Sequence, residues 1–597
     1  MTILGLLEQY RNGTTSPRQH IVDLLATLRR DQDSNPDTAW ISLANNEQIT
    51  EQINLLEGKQ AAALPLFGIP FAVKDNIDVA GWTTTVGCPD FAYKPTKTAT
   101  SVQKLLDAGA ILIGKTNLDQ FATGLVGTRS PYGVVTNPFN PKYVSGGSSS
   151  GSASTVSRGL VLFSLGTDTA GSGRIPAAFT NTVGTKPTPG YMSTEGVFPA
   201  CKTIDCISIF TLTAADASLV LDVMKANSQD RMNEPQYHPE PKLTQQFSAP
   251  IRIGIPKSAD FLDNTEYPQL FAKALQKIKE MGHHVIEVDI TPFVKAGKLL
   301  YDGPWVAERY AVIEDFIKSH PNSLDPSVKK IIESGASYTA AQGFRAIYQL
   351  KDLETECQKA WSQCDLIVVP SAPRHPTIEE LKEEPILRNS ELGMYTNYVN
   401  LMRLAAIAVP ADFTAEGLPF GVTLIGQGGS DFALLQFASQ WQKLTKMPLG
   451  FAHSVAPSHY LDIKNANTSH VRLAVVGAHL KGMPLHSQLV ERQARFVKAC
   501  KTANRYQLFA LANTSPPKPG LVRAEPDGIA IELEIYDLPT ETIGSFLGLI
   551  PSPLGLGTIE LDDGTWVKGF ICEPVGISGA TNISQYGGWK NYLKEML

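Results

Sequence analysis

Short apolar runs alternate with helical patterns along the chain before residue 451. Leucine and isoleucine recur at helical spacing after Ser16-Pro17, and we expect residues 1–60 to be helical. A further helix is predicted over residues 101–107. Uninterrupted apolar runs predict buried strands within residues 64–73, 110–113, 159–166 and 366–370. This alternation is typical of a mixed or mostly parallel sheet covered by helices on both faces.

The pattern changes after an amphipathic helix that is predicted over residues 433–445. Residues 451–470 are polar and turn-rich, and short alternating strands follow them. Among these, residues 558–572 predict a hairpin that turns at Asp563-Gly564. We therefore predict a large α/β domain with a central mixed β-sheet over residues 1–455, a linker over 456–470, and a smaller β-rich α+β domain over 471–597.

Composition narrows the class of protein. Of the 597 residues, 43% are hydrophobic and 18% are charged, which favours a folded core over disorder or a coiled coil. The net charge is −6 and no basic block occurs, so we do not expect a nucleic acid as partner. No stretch approaches the roughly 18 apolar residues of a membrane span, so we expect no membrane association.

The cysteines and the first residues of the chain indicate in which cellular compartment the protein acts. The chain has seven cysteines that are scattered along its length, which indicates reduced thiols and not a disulfide framework. The first eight residues lack a basic segment, so we expect no secretory signal. Both features favour a cytoplasmic protein.

Two segments rich in glycine and small hydroxylated residues lie within the predicted α/β domain. Residues 145–154 read SGGSSSGSAS, and residues 166–174 read GTDTAGSGR. A Gly/Ser tract is commonly a flexible linker, but these two lie between apolar runs of the predicted core. Small residues let a ligand approach the backbone, and consecutive N–H groups suit an anion or a developing oxyanion.

A nucleophilic serine in these segments would need a base, and no histidine accompanies them. Lys74 directly follows the predicted strand within residues 64–73. A lysine at a strand end usually reaches solvent. Burial, however, can lower a lysine pKa by as much as about 3–5 units and make it a general base. The residues alone leave both interpretations open.

Two other patterns are weaker. Residues 109–116 (GAILIGKT) match the P-loop pattern, but Ala-Ile-Leu-Ile reads as a strand and not as a phosphate-binding loop, so we do not expect nucleotide binding. No His or Cys group has the spacing of metal ligands, and we expect no metal site. Cys357 and Cys364 lie on a predicted helix as core or boundary positions.

Lys74, the run 145–154 and residues 166–178 together resemble the amidase signature family, over most of residues 1–455. The resemblance implies an amidohydrolase in which Lys74 is the base, Ser148 the bridging serine and Ser172 the nucleophile. It also implies an oxyanion hole made by the backbone N–H groups of Thr169, Ala170, Gly171 and Ser172. No cofactor is implied.

Residues 197–210 and 300–310 resemble one group of that family, the allophanate hydrolases. This resemblance implies allophanate as the small-molecule substrate and Gly124, Tyr301 and Arg309 as substrate-binding residues. Tyr301 and Arg309 are eight residues apart, about two turns of helix, so both can lie on one helix face. A guanidinium can bind a small carboxylate with two hydrogen bonds, whereas an ordinary surface arginine is the alternative.

Residues 473–489 resemble the accessory domain of the same group, which is similar in fold to γ-glutamyl cyclotransferase-like proteins. The resemblance implies that His479 or His486 helps to break down the product, N-carboxycarbamate, to ammonia and carbon dioxide. It further implies a functional link to urea carboxylase and a homodimer.

Three other functions remain open from the sequence. The chain could be a general small-amide amidase, a component of a glutamine-hydrolysing amidotransferase, or a carbamoyl-binding module without activity. An amidase of other substrates would not need Arg309, and a binding module would tolerate the loss of Ser172.

Overall fold

The structure is a computed structural model of the chain. It describes residues 1–34, 36–59, 64–227, 246–451, 470–492, 494–512 and 514–596, and the single residues 230, 244 and 460. The chain divides into two compact units, Met1–Ile463 and Lys464–Leu597. Most of the predicted linker, residues 456–470, lies outside the described residues, so its boundaries stay a prediction.

The larger unit contains eleven strands and sixteen α-helices among its described residues. The strands are β1 (Trp40–Leu43), β2 (Pro70–Lys74), β3 (Ile111–Thr116), β4 (Phe163–Asp168), β5 (Val183–Lys186), β6 (Cys206–Thr211), β7 (Arg252–Pro256), β8 (His284–Val288), β9 (Leu366–Pro370), β10 (Ala405–Phe413) and β11 (Pro419–Gly426). The helices are Ile3–Arg11, Pro17–Ser34, Asn46–Asn54, Thr100–Asp107, Ser150–Ser157, Ile175–Phe179, Ala214–Met224, Tyr267–Glu280, Thr291–Lys298, Trp305–Ser319, Pro326–Glu333, Ala340–Trp361, Ile378–Glu383, Leu387–Leu392, Asn397–Leu401 and Asp431–Thr445.

All eleven strands form one mixed sheet, in the order β1-β3-β2-β4-β6-β5-β10-β11-β9-β7-β8. The neighbours β3, β2 and β4 are parallel, whereas β4 and β6 are antiparallel. Both faces of the sheet are covered: alternate residues of β9 join two different hydrophobic clusters, Leu366 and Val368 one, Ile367 and Val369 the other. The predicted mixed α/β fold is confirmed.

The predicted strands and helices of this unit are present, with two corrections. Residues 1–60 are not all helical, because Trp40–Leu43 is a strand that pairs antiparallel with β3. Cys357 and Cys364 do not share a helix, since that helix ends at Trp361; both side chains are buried, as expected.

The segment that matches a P-loop is a strand, as its apolar residues predicted. Lys115 lies within β3, with its side chain fully buried. Its ammonium lies 2.9 Å from the buried carboxylate of Asp75. This lysine is therefore part of the core of the sheet.

The smaller unit has its own hydrophobic core, which includes Leu473, Ile535 and Phe546. Its strands are β12 (His470–Val475), β13 (Arg495–Lys501), β14 (Tyr506–Ala510), β15 (Pro519–Arg523), β16 (Glu532–Pro539), β17 (Leu554–Glu560), β18 (Trp566–Cys572) and β19 (Thr581–Asn582), and its described α-helices are Ser487–Val490, Thr540–Leu547 and Trp589–Met596. One sheet has the order β13-β16-β12-β18-β17, and a second has the order β15-β14-β19. The predicted hairpin is formed by β17 and β18.

Candidate active site

A chain of hydrogen bonds joins the three residues that the sequence predicted to be catalytic. Lys74 Nζ donates to Ser148 Oγ at 2.8 Å and to Thr167 Oγ1 at 2.8 Å. Ser148 Oγ in turn donates to Ser172 Oγ at 3.0 Å. All four side chains are buried. The distances are those of direct hydrogen bonds, so a proton can pass along the chain without an intervening water.

The topology of the sheet explains why these residues meet. Because β2 and β4 are parallel neighbours, their carboxyl ends lie at the same edge of the sheet. Lys74 is the last residue of β2, and Ser172 lies in the loop that follows β4. Ser148 precedes the helix Ser150–Ser157, and the peptide bond between Gly147 and Ser148 is cis. A Cβ at Gly147 would collide with the carboxylate of Asp119, so this position requires glycine.

Burial changes the proton affinity of Lys74. Desolvation lowers the pKa of Lys74 to about 7, although the carboxylates of Asp119, Asp205 and Asp168 oppose this change, and the guanidinium of Arg309 adds to it. A neutral amine is therefore available near neutral pH. In that form Lys74 can accept the proton of Ser148, as a general base must.

The loop after β4 supplies backbone donors beside Ser172. The N–H of Gly171 donates to Asp168 Oδ1 at 2.9 Å, so the structure differs here from the expectation that Gly171 holds the oxyanion. The N–H groups of Thr169, Ala170 and Ser172 have no acceptor in the described part of the chain. Three donors are thus left for a developing oxyanion.

Arg309 is a buried cation beside this site. Its guanidinium donates to Thr123 Oγ1 at 3.1 Å, to the Ala122 carbonyl at 3.5 Å and to Tyr301 Oη at 3.3 Å. None of these partners is a carboxylate, and Nε is buried without a hydrogen bond in the described residues. The thiol of Cys201 nearby does not neutralise the charge, because burial raises its pKa. Among the described residues no carboxylate forms a direct ion pair with Arg309, although the charges of Asp205 and Glu308 act on it. A buried guanidinium without a paired carboxylate is suited to bind an anionic ligand.

Tyr301 and Arg309 lie close together, but not for the predicted reason. The helix that carries Arg309 begins at Trp305, and Tyr301 lies in the turn before it. The two do not share a helix face; the guanidinium lies 5.3 Å from the centre of the Tyr301 ring. The turn places the ring next to the cation.

Gly124 connects the anion-binding residues to the nucleophile. Its carbonyl accepts a hydrogen bond of 3.4 Å from Ser172 Oγ, and Ala122 and Thr123, which directly precede it, contact Arg309. A Cβ at Gly124 would collide with Asp119. The substrate-binding role of Gly124 stays a prediction.

Two carboxylates near the site were not predicted from the sequence. Asp119 accepts the backbone N–H groups of Val126, Gly127 and Arg129 and so fixes the loop that contains Gly124. It follows the carboxyl end of β3, and an acidic residue at such a strand end is a signal that could have identified it. Asp205 lies in the segment before β6, and nothing in its local pattern singles it out.

In the smaller unit, the two candidate histidines differ in their surroundings. His479 stacks on Phe570, and its Nε2 lies 2.9 Å from Gln488 Oε1. His479 and Lys518 line a small, largely apolar cavity. His486 is not among the residues that line this cavity, and its Nδ1 lies 3.2 Å from the His479 carbonyl oxygen. The geometry therefore favours His479 as the residue that can meet a small ligand.

The described residues contain no helix that is long and apolar enough to cross a bilayer. They also contain no group of three or more His, Cys, Asp or Glu side chains placed to hold a metal ion.

Comparison with known proteins assigns the family. Residues 24–435 match the amidase family model, and residues 471–594 match that of the allophanate hydrolase C-terminal domain. A urea amidolyase from Lachancea kluyveri is 45% identical over 98% of this chain and 33% of its own length. The chain thus spans about a third of the first curated relatives it matches, since a second urea amidolyase is covered over 32%.

A solved structure matches the whole chain, whereas a more distant relative matches about three quarters of it. The Kluyveromyces lactis allophanate hydrolase structure is 42% identical, with a TM-score of 0.79 over 100% of this chain and 99% of that one. A glutamyl-tRNA(Gln) amidotransferase component from Endomicrobium trichonymphae is 31% identical over 74% of this chain and 96% of its own length. The predicted resemblance is confirmed: the chain belongs to the amidase family and carries an allophanate hydrolase C-terminal domain.

Proposed function

We propose that this chain is an allophanate hydrolase, which releases ammonia from the terminal amide of allophanate in urea degradation. The observation that carries the proposal is the buried guanidinium of Arg309, which forms no direct ion pair in the described residues and lies beside the hydrogen-bonded serines and lysine. Allophanate combines the amide that such serines attack with the carboxylate that Arg309 needs. The similarity to the K. lactis allophanate hydrolase over the whole chain supports the same substrate.

The reaction follows from the geometry. Neutral Lys74 takes the proton of Ser148, and Ser148 takes that of Ser172 while Ser172 Oγ attacks the amide carbon. The N–H groups of Thr169, Ala170 and Ser172 hold the oxyanion of the tetrahedral intermediate. The proton returns through Ser148 to the leaving nitrogen, and ammonia departs. Water then releases the acyl group from Ser172 by the same proton path.

Replacing Arg309 tests the substrate. Arg309→Ala is expected to raise KM for allophanate by on the order of 10²-fold, because a buried charge-assisted contact to the carboxylate is lost. Arg309→Lys keeps the charge but not the planar fork, so it should recover part of the affinity. Biuret, in which an amide replaces the carboxylate, is the control substrate, and its KM should change much less. An unchanged KM for allophanate would refute the carboxylate-binding role.

A second stage is assigned to the smaller unit. N-carboxycarbamate, the product of the first stage, is a small dianion, and Lys518 and His479 line the same small cavity of this unit, where the lysine can attract an anion. His479→Ala is expected to slow the release of carbon dioxide relative to the first ammonia, whereas His486→Ala serves as the matched control. Equal rates of carbon dioxide release in all three proteins would contradict this assignment.

The proposed reaction defines functional links. Allophanate must be supplied by carboxylation of urea, so we propose a urea carboxylase as the functional partner; the relatives named urea amidolyase are consistent with that link. The seven cysteines are all free thiols, which fits action in the cytoplasm.

The helix Ala340–Trp361 supports a homodimer. Phe344, Ile347 and Tyr348 form an apolar stripe on it and are 59%, 53% and 64% exposed. Arg345 and Asp352 lie along one edge of this stripe by helical spacing, and no ion pair of either occurs in the described residues. If two copies of the helix pack antiparallel about a two-fold axis, each Arg345 meets the Asp352 of the second copy.

Sedimentation tests the homodimer. Ile347→Asp places a carboxylate in the apolar stripe and is expected to convert dimer to monomer, because its desolvation would be unfavourable. Val22→Asp alters an exposed apolar residue on another helix and is the control. A wild-type monomer, or a dimer that persists in Ile347→Asp, would contradict this interface.

A further inference from the structure

Asp205 is a buried carboxylate that takes no part in the proton path. Its oxygens accept hydrogen bonds from the backbone N–H of Ala200 at 2.7 Å, from that of Cys201 at 3.1 Å, and from Thr169 Oγ1 at 2.5 Å. Only 8% of the residue is exposed. Each oxygen already has at least two donors, so Asp205 is not free to bind substrate directly.

The bond to Thr169 ties two parts of the site together. Thr169 belongs to the loop whose N–H groups hold the oxyanion in the proposed reaction. Cys201, which also donates to Asp205, contacts the carbonyl of Trp305 at the start of the helix that carries Arg309. Asp205 therefore connects the loop after β4 to the segment that contacts the helix Trp305–Ser319, which carries Arg309.

Two neutral contacts hold the same loop. Thr396 Oγ1 donates to the Ala170 carbonyl at 2.6 Å, and Asn400 Nδ2 donates to the Asp168 carbonyl at 2.7 Å. Both contacts fix a backbone carbonyl group. Because the C=O and the N–H of one peptide unit point in opposite directions, each contact also fixes the direction of the N–H group that follows. Asp205 differs from Thr396 and Asn400 in two ways: it binds a side chain of the loop, that of Thr169, and it can carry a negative charge.

We propose that Asp205 is a positioning residue: it holds Thr169 so that the backbone donors of the loop converge on the oxyanion. The proposal rests on the proposed function only in that Ser172 is the nucleophile; it does not depend on allophanate as the substrate. Because one donor of an oxyanion hole contributes about 10²–10³ in rate, a small rotation of this loop is expected to lower the rate of attack.

The charge of Asp205 gives a second, separate consequence. The groups that act on Lys74 are the carboxylates of Asp119, Asp168 and Asp205 and the guanidinium of Arg309, and its ammonium contacts Ser148 and Thr167. Removing one of three carboxylates lowers the pKa of Lys74 further. The rate should then begin to fall at a lower pH than in the wild type. Loss of the Thr169 hydroxyl keeps the carboxyl group and only raises its pKa, because that hydrogen bond lowers it, so the effect on Lys74 should be smaller.

The experiment uses the full chain and the rate at which a fluorophosphonate labels Ser172. Ser172 Oγ forms a bond to phosphorus, fluoride leaves, and the proton passes through Ser148 to Lys74, so the reaction needs the nucleophile and the oxyanion donors but no amide substrate. The variants are Thr169→Val, which removes the hydroxyl at constant shape, Thr169→Ser, which keeps it, Asp205→Asn, and the double variant Thr169→Val/Asp205→Asn.

The expected result has three parts. Thr169→Val lowers the labelling rate about 10-fold or more, and Thr169→Ser recovers most of it. The losses in the double variant are less than additive, because both changes act on the same contact. The pH at which labelling falls to half moves down in Asp205→Asn and moves less in Thr169→Val.

Other outcomes overturn the proposal. Labelling by Thr169→Val at the wild-type rate would show that the contact does not position the loop, and additive losses in the double variant would show that the two residues act separately. If Asp205→Asn does not fold, the labelling rates of Thr169→Val and Thr169→Ser still test the proposal, and equal rates for these two variants would overturn it. If the variants label with the expected pattern but the wild-type protein does not release ammonia from allophanate, the result would count against the proposed function alone.

Discussion

Ser172→Ala is expected to abolish ammonia release from allophanate, with a loss in kcat on the order of 10⁴-fold or more. The Ser172 hydroxyl is the end of the hydrogen-bonded chain, since Ser148 is the bridge between it and Lys74, and so it is the group placed to form the acyl intermediate. The fold should persist, because within the described residues the hydroxyl makes two hydrogen bonds, one of them a long contact of 3.4 Å to the Gly124 carbonyl. Ammonia release and the thermal unfolding midpoint are the two measurements.

Ser208→Ala is the matched control for that variant. Ser208 lies on β6 in the same core, and its hydroxyl is buried without a hydrogen bond in the described residues. Its removal is therefore expected to leave both the activity and the unfolding midpoint close to those of the wild type. Activity of Ser172→Ala near that of Ser208→Ala would show that Ser172 is not the nucleophile.

Lys74→Met is expected to lower kcat by roughly 10²–10⁴-fold, the usual contribution of a general base. Methionine fills a similar volume but cannot accept a proton. Its burial also avoids the desolvation that disfavours a buried ammonium, so the unfolding midpoint should be equal to or higher than that of the wild type. Inactivity together with a clearly lower midpoint would indicate a structural role, and retained activity would exclude Lys74 as the base.

The same lysine sets the pH dependence of the wild type. Because Lys74 acts as a neutral amine and burial lowers its pKa to about 7, kcat/KM should rise as the pH increases through about 7 and level off above it. Burial raises the pKa of Asp205 to about 6, and the loss of its proton over this range favours the ammonium form of Lys74 and so opposes the increase in rate. A rate that is constant between pH 5 and 9 would contradict a titrating base.

Much of the fold and the central residues of the site could be predicted from the sequence. Apolar runs identified the strands that end at Lys74 and before Ser172, and small residues between such runs indicated an open backbone. Family resemblance then assigned the roles of Lys74, Ser148 and Ser172, and the structure places their side chains within hydrogen-bond distance. Periodicity and turn residues depend on neighbouring positions in the sequence, which is why they predicted these strands and helices correctly.

The features that could not be predicted depend on contacts between distant parts of the chain. The strand Trp40–Leu43 is stabilised by pairing with β3, and its sequence alone carries no clear signal. The N–H of Gly171 is occupied by Asp168 because the loop turns back on itself. Tyr301 reaches Arg309 through a turn, where helical spacing does not apply. Asp205 acquires its role only when the segment before β6 meets the loop after β4.

The proposed function requires that a carboxylate-bearing amide is hydrolysed at this site. The most direct measurement is ammonia release by the purified chain from allophanate, malonamate, biuret and glutamine at one pH. We expect kcat/KM for allophanate to exceed that for biuret and glutamine by on the order of 10²-fold or more, with malonamate, which keeps the carboxylate, between them. Equal values for allophanate and biuret, or a preference for glutamine, would contradict the proposed function.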